Sequence, residues 1–335
     1  MAPTALQTTW FILIGVLLTG YTVLDGFDLG VGLLFPFLPK NEEDKKALFR
    51  AIGPFWDGNE VWLLAGGGAL FAAFPSAYAT VFSGFYLALM VVLFALIFRA
   101  VSLEFRGHDP KRRGFWEGAF FAGSLLPALL LGVALGNIVQ GIPLNADMEF
   151  TGTFFTLLRP FPLAVGLLGL SALLLHGTTY VALKTEGGLK ARAKRLAGGL
   201  WWIEAGLFLH ALVMSFIYLP GAKVNFLAWL AAAVFLISLA TLNAALAWAK
   251  DKLAFLATSL SLLSLWGIVG AVQYPVLVRA SEPALNLTAA NASSSPLTLR
   301  VMFIIALIGL PVVIASTALL YRVFKGRVKP EGGRY

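Results

Sequence analysis

Residues 9–38 read TWFILIGVLLTGYTVLDGFDLGVGLLFPFL, thirty residues with two acids and no base. About 20 apolar residues at 1.5 Å each cross a ~30 Å hydrocarbon layer, so this stretch predicts a membrane span. It is too long for the h-region of a cleavable signal, and residues 1–9 lack a positive n-region. Comparable stretches recur at roughly 51–74, 77–102, 115–138, 157–183, 199–219, 226–248, 254–275 and 300–321. The expectation is an all-α polytopic membrane protein of about nine spans, forming a single transmembrane domain over 1–335. Composition agrees: 59% of the 335 residues are hydrophobic and 13% charged, against roughly 45–50% and about 25% in soluble domains.

Charge runs and turn residues divide the spans: KNEEDKK at 40–46, RGHDPKRR at 106–113, KTEGGLKARAKR at 184–195, Pro75, and Pro220-Gly221. Of the 25 Lys and Arg, four follow the first span, four the third, five the fifth, two the seventh, and five lie in the C-terminal tail. The opposite loops hold Lys223 and Arg279; Arg99, Arg159 and Arg300 lie at span edges. Basic residues mark the cytoplasmic side, so the N-terminus is expected outside and the C-terminus inside. The net charge of +8 is then a property of cytoplasmic loops and does not call for a nucleic-acid partner. Trp10, Trp116, Trp201, Trp202 and Trp248 fall near span ends, where amphipathic rings favour the interface. The sequons at Asn286 and Asn291 carry little weight without a sign of a eukaryotic secretory route.

With no cysteine in the chain, disulfides, thiolate metal sites and cysteine nucleophiles are excluded. The three histidines, His108, His176 and His210, are few. Imidazole is a common axial haem ligand, but a lone membrane histidine more often bonds a neighbouring helix, and His108 lies in a charged loop.

Ionisable residues inside a membrane are costly and face the protein interior or a polar cavity. Asp25 and Asp28 in the first span, and Asp57 and Glu60 in the second, share an i, i+3 spacing that puts each pair on one helix face. Arg99 lies near the inner end of the third span with Glu104 beyond it, and Glu204 is in the sixth. On the expected orientation these acids gather in the cytoplasmic half, the arrangement of a proton-uptake route. The alternative is structural, with Asp28 or Asp57 paired to Arg99 as a helix lock. A further alternative, a secondary transporter binding Na⁺ or H⁺ at these acids, would favour inverted repeats and broken helices, and no such pair is evident in the sequence. The glycines of this stretch form no phosphate cradle, because GxGxxG is absent.

Three ordered segments, YTVLDGFDLGVG at 21–32, GPFWDGNEVWLLAGGGALFAAFP at 53–75 and LIFRAVSLEFR at 96–106, carry a specific resemblance to subunit II of the cytochrome bd quinol oxidases, terminal oxidases of prokaryotic respiratory chains. The resemblance implies two four-helix bundles (1–138 and 157–275) plus a ninth peripheral helix at 300–321. It implies a place in the cytoplasmic (inner) membrane beside a subunit I that carries two b-type haems and a d-type haem. This chain would then ligate no haem and no metal, and quinol would be the substrate of the complex. A small single-span accessory subunit, membrane lipids and quinone are further implied partners. Asp25 and Asp57 match acids at the subunit interface, where a proton route is proposed, with Asp28 and Glu60 beside them. Arg99 matches their basic partner, and Trp62 matches a part implicated in O₂ or quinone access. A role in assembly alone is the remaining reading.

Overall fold

The computed structural model describes residues 2–219 and 225–328. The predicted turn at Pro220-Gly221, and Lys223, Lys329 and Arg334, lie outside the described residues. The chain is mainly helical, with α1 Ala5–Leu24, α2 Gly26–Leu34, α3 Glu42–Ile52, α4 Trp56–Ala73, α5 Pro75–Gly84, α6 Tyr86–His108, α7 Arg113–Gln140, α8 Pro160–Lys184, α9 Gly187–Tyr218, α10 Phe226–Ala247, α11 Asp251–Gln273 and α12 Pro296–Val323.

Among the described residues, eight helical stretches are long and apolar enough to cross a membrane, with α1 and α2 counted as one. The predicted span at 51–74 corresponds to α4, which is not among the eight. Its first turns carry Asp57, Asn59 and Glu60, and these polar residues lower its mean hydropathy. Two boundaries also shift. The predicted third span begins in α5, a short separate helix started by Pro75, and its long helix runs on to His108. The charge run at 184–195, expected to be a break, is largely the first turns of α9.

The run at 40–46 likewise folds. Asn41 caps α3 by accepting from the Asp44 backbone N–H at 2.9 Å. Glu42, Glu43 and Asp44 occupy its first turn, where the helix dipole favours anions. Charges then bind α3 to its neighbours: Arg106 of α6 donates to Glu42 at 2.8 Å and Glu117 at 2.7 Å, and Arg192 of α9 to Asp44 at 2.5 Å.

The core is built from helix faces. α8 packs on α7, α9 and α11, α10 on α11, and α2 on α7 and α8. At the α2–α8 crossing, a Cβ on Gly30 would lie 2.7 Å from Gly177 Cα, so only glycine permits that approach. Helix α12 contacts α1 and α4, and its one buried residue is Leu299. Trp10, near the start of α1, is buried and donates to the Leu299 carbonyl at 3.0 Å. At the end opposite the basic loops, β1 Val276–Val278 pairs antiparallel with β2 Leu287–Thr288, in register Val276 to Thr288. Ile142 bridges to Ala280 beside it.

Candidate functional site

The first span is not continuous: helix α1 ends at Leu24, and α2 begins at Gly26. Gly26 weakens helix propensity at this point, and side chains from two other helices enter beside it, a recognised cause of helix interruption. The Asn59 amide of α4 donates to the Leu24 carbonyl at 3.0 Å. The His176 ring of α8 meets the Val23 carbonyl at 3.0 Å.

Asp25 lies in the interruption, fully buried, and Arg99 of α6 reaches it from the side. The guanidinium donates to both carboxylate oxygens, at 2.7 and 3.2 Å, in a bidentate pair with no exposed atoms. Such forks combine charge with a fixed geometry. Glu60 is 3.7 Å from the same guanidinium and is 20% exposed. The i, i+3 spacing of Asp25 and Asp28 therefore does not give them a common partner. Asp28, also fully buried, accepts instead from Asn59 at 2.7 Å, and its other oxygen has no hydrogen-bond partner. Tyr321 of α12 completes the group by donating to the Asn59 carbonyl oxygen at 3.1 Å.

Two expectations need correction. Neither Asp28 nor Asp57 pairs with Arg99; Asp25 and Glu60 do. Asp57, in the first turn of α4, is exposed in this chain. The structure thus gathers Asp25, Asp28, Glu60 and Arg99, and leaves Asp57 at the margin. Sequence reasoning passed over Asn59, Tyr321 and the role of His176. An amide within WDGNEVW was a usable signal for Asn59. Tyr321 is 262 residues from Asn59, and nothing local marks it.

His176, the histidine nearest this group, does not fit axial haem ligation. His176 is buried with both ring nitrogens engaged, at Val23 and at Thr258 Oγ1, 2.8 Å away. His108 and His210 are exposed. No group of three or more His, Cys, Asp or Glu able to hold a metal ion occurs among the described residues.

Trp62, one helical turn and a half beyond Asp57, packs its ring against Gly20 of α1, where a Cβ would stand 2.6 Å from ring carbon Cζ3. Its indole N–H has no partner. The ring forms one wall of an apolar cleft of about 340 Å³ between α1, α4 and α12, which also includes Leu17, Val61 and Gly309.

Residues 6–324 match the family model for cytochrome bd terminal oxidase subunit II. The chain is 35% identical to the cytochrome bd-I ubiquinol oxidase subunit 2 of Escherichia coli K12, covering 97% of this chain and 96% of that one. It is 36% identical to the cytochrome bd ubiquinol oxidase subunit 2 of Bacillus subtilis 168, covering 97% of each. Its fold is shared with a chain of the bd oxidase structure from Geobacillus thermodenitrificans, at a TM-score of 0.81 and 17% identity, covering 96% of this chain and 99% of that one. The chain therefore belongs to the cytochrome bd terminal oxidase subunit II family.

Proposed function

We propose that this chain is the subunit of a quinol-oxidising, O₂-reducing bd-type complex that supports a haem-bearing subunit I and supplies part of a proton path from the cytoplasm. On this reading α4 is the ninth crossing, the N-terminus is outside, and the basic loops are cytoplasmic. Spans α1/α2, α4, α6 and α7 form one bundle, α8–α11 a second, and α12 lies at the periphery. The haems of the complex supply electron transfer and O₂ reduction when bound in the partner; the residues of this chain position acids and exclude lipid.

One observation carries the reading: the fully buried Asp25–Arg99 pair at an interrupted span, with Glu60 at its edge and Asp28 behind it. Broken membrane helices with acids at the break are characteristic of ion-handling sites. Arg99 sets a countercharge directly on both Asp25 oxygens, as a buried acid requires. Asp57 and Glu60 form the more exposed end of the path, and Asp25 and Asp28 its buried end. The apolar cleft beside Trp62 is a route for O₂ or quinone through the membrane plane. A secondary transporter is disfavoured by the family match.

The test is Asp25→Asn in the purified two-subunit complex. Oxygen consumption should fall by about tenfold or more, the scale of a lost proton-transfer group, with haem content unchanged. Wild-type turnover in a complex with full haem would remove Asp25 from the path.

A further inference from the structure

His176 belongs to α8, outside the acid group, and is the one fully buried histidine among the described residues. Its ring stacks on Phe255 of α11 at 4.7 Å between centroids and meets the edge of Phe27 of α2 at 6.1 Å. These contacts hold its plane. Its hydrogen bonds have only one consistent direction when the ring carries one proton. The Val23 carbonyl can only accept, so the proton is on Nε2. Nδ1 must then accept from the Thr258 hydroxyl at 2.8 Å. The Thr258 hydroxyl also lies 2.9 Å from the Phe255 carbonyl of its own helix and 2.9 Å from Thr179, whose hydroxyl reaches the His176 carbonyl at 2.9 Å. The result is a hydrogen-bonded cluster of Thr179, Thr258 and His176 whose imidazole N–H ends on Val23, two residues before Asp25.

We infer that His176 is a positioning residue for the Asp25–Arg99 pair, acting from α8 through the Val23 carbonyl at the α1–α2 interruption. The inference rests on the proton-path reading of that pair. Arg99 approaches Asp25 as a rigid fork, and a bidentate fork tolerates little displacement of its acceptor. Asn59 holds the neighbouring Leu24 carbonyl from the α4 side, and His176 supplies the opposing hold from α8. The interruption is thus fixed between two parts of the molecule, and Thr258 extends that hold to α11.

The experiment uses the purified two-subunit oxidase with His176→Leu, His176→Gln and Thr258→Val. His176→Leu removes both ring hydrogen bonds and should lower kcat on the order of tenfold, within the cost of small misplacements remote from the chemistry. The KM for quinol and the haem content should not change. His176→Gln retains an N–H for Val23 and an oxygen for Thr258, and should recover most of the rate. Thr258→Val should fall between them. In an Asp25→Asn background, His176→Leu should add no further loss, because both changes act on one group.

Wild-type kcat in a fully haem-loaded His176→Leu complex overturns the inference, as does a loss that multiplies with that of Asp25→Asn. If His176→Leu does not assemble, an unchanged kcat in Thr258→Val overturns it. The two readings fail differently. A fast Asp25→Asn enzyme sinks the proton path and this inference with it. A slow Asp25→Asn enzyme beside fast His176→Leu and Thr258→Val enzymes sinks the inference alone.

Discussion

Asp25, at the α1–α2 interruption, and Glu204, on α9, are both enclosed completely by the chain, yet their surroundings share little. Asp25 has a bidentate guanidinium on its two oxygens. Glu204 lies centrally on the buried stripe of α9, one turn from Leu200 on one side and from Phe208 on the other. Neither of its oxygens has a hydrogen-bond partner, and no ion pair to it occurs among the described residues. One region places an acid in the interior together with a countercharge, and the other places an acid there alone. Burial by itself thus says little about function: the region with Arg99 is built around its acid, and the α8–α11 region merely contains one.

Three substitutions test this contrast. The largest effect is expected from Arg99→Leu, which strands Asp25 and Glu60 without their cation. Removing one partner of a buried pair costs about 3–5 kcal/mol, to be read as a lower thermal unfolding midpoint and reduced recovery of the complex. A change close to zero would mean that Asp25 is not held by Arg99 in the assembled protein. Glu204→Leu should move stability the other way, by about 1–2 kcal/mol upward, because it removes an unpartnered buried polar group. A loss comparable to that of Arg99→Leu would show that Glu204 has a partner after all and would erase the contrast. The smallest change is expected from Asp57→Asn. Asp57 is exposed in the chain, so stability should stay within about 0.5 kcal/mol while oxygen consumption slows. A large stability loss would place Asp57 with the paired acids.

Much of this was legible in the sequence, because the hydrocarbon thickness fixes span length and intramembrane charges are rare enough to notice. Asp25, Asp28, Glu60 and Arg99 were found for that reason. Their pairing was harder to read. The i, i+3 rule holds for an unbroken helix, and the helix breaks at Asp25, between α1 and α2, through contacts from Asn59 and His176 that are remote in sequence. The same rule gave no warning that Asp57 would be exposed while Glu60, one turn on, comes within 3.7 Å of Arg99. Helix α3 was hidden by its charge: a short amphipathic helix with an acidic first turn resembles a loop when hydropathy alone is scored.

The hydrogen bond from Tyr321 to Asn59 has a consequence for how the protein is made. Chains are synthesised from the N-terminus, so α1, α2, α4 and α6 are all translated before α12 appears. Until the last helix arrives, the Asn59 oxygen lacks its donor, and the ring of Phe55 lacks the Tyr321 ring that lies 4.5 Å from it in the finished fold. A nascent chain that stops short of residue 321 would therefore present an acid group with one side open. Arrival of the C-terminal end is the event that closes it, which makes the oldest part of the chain dependent on the youngest.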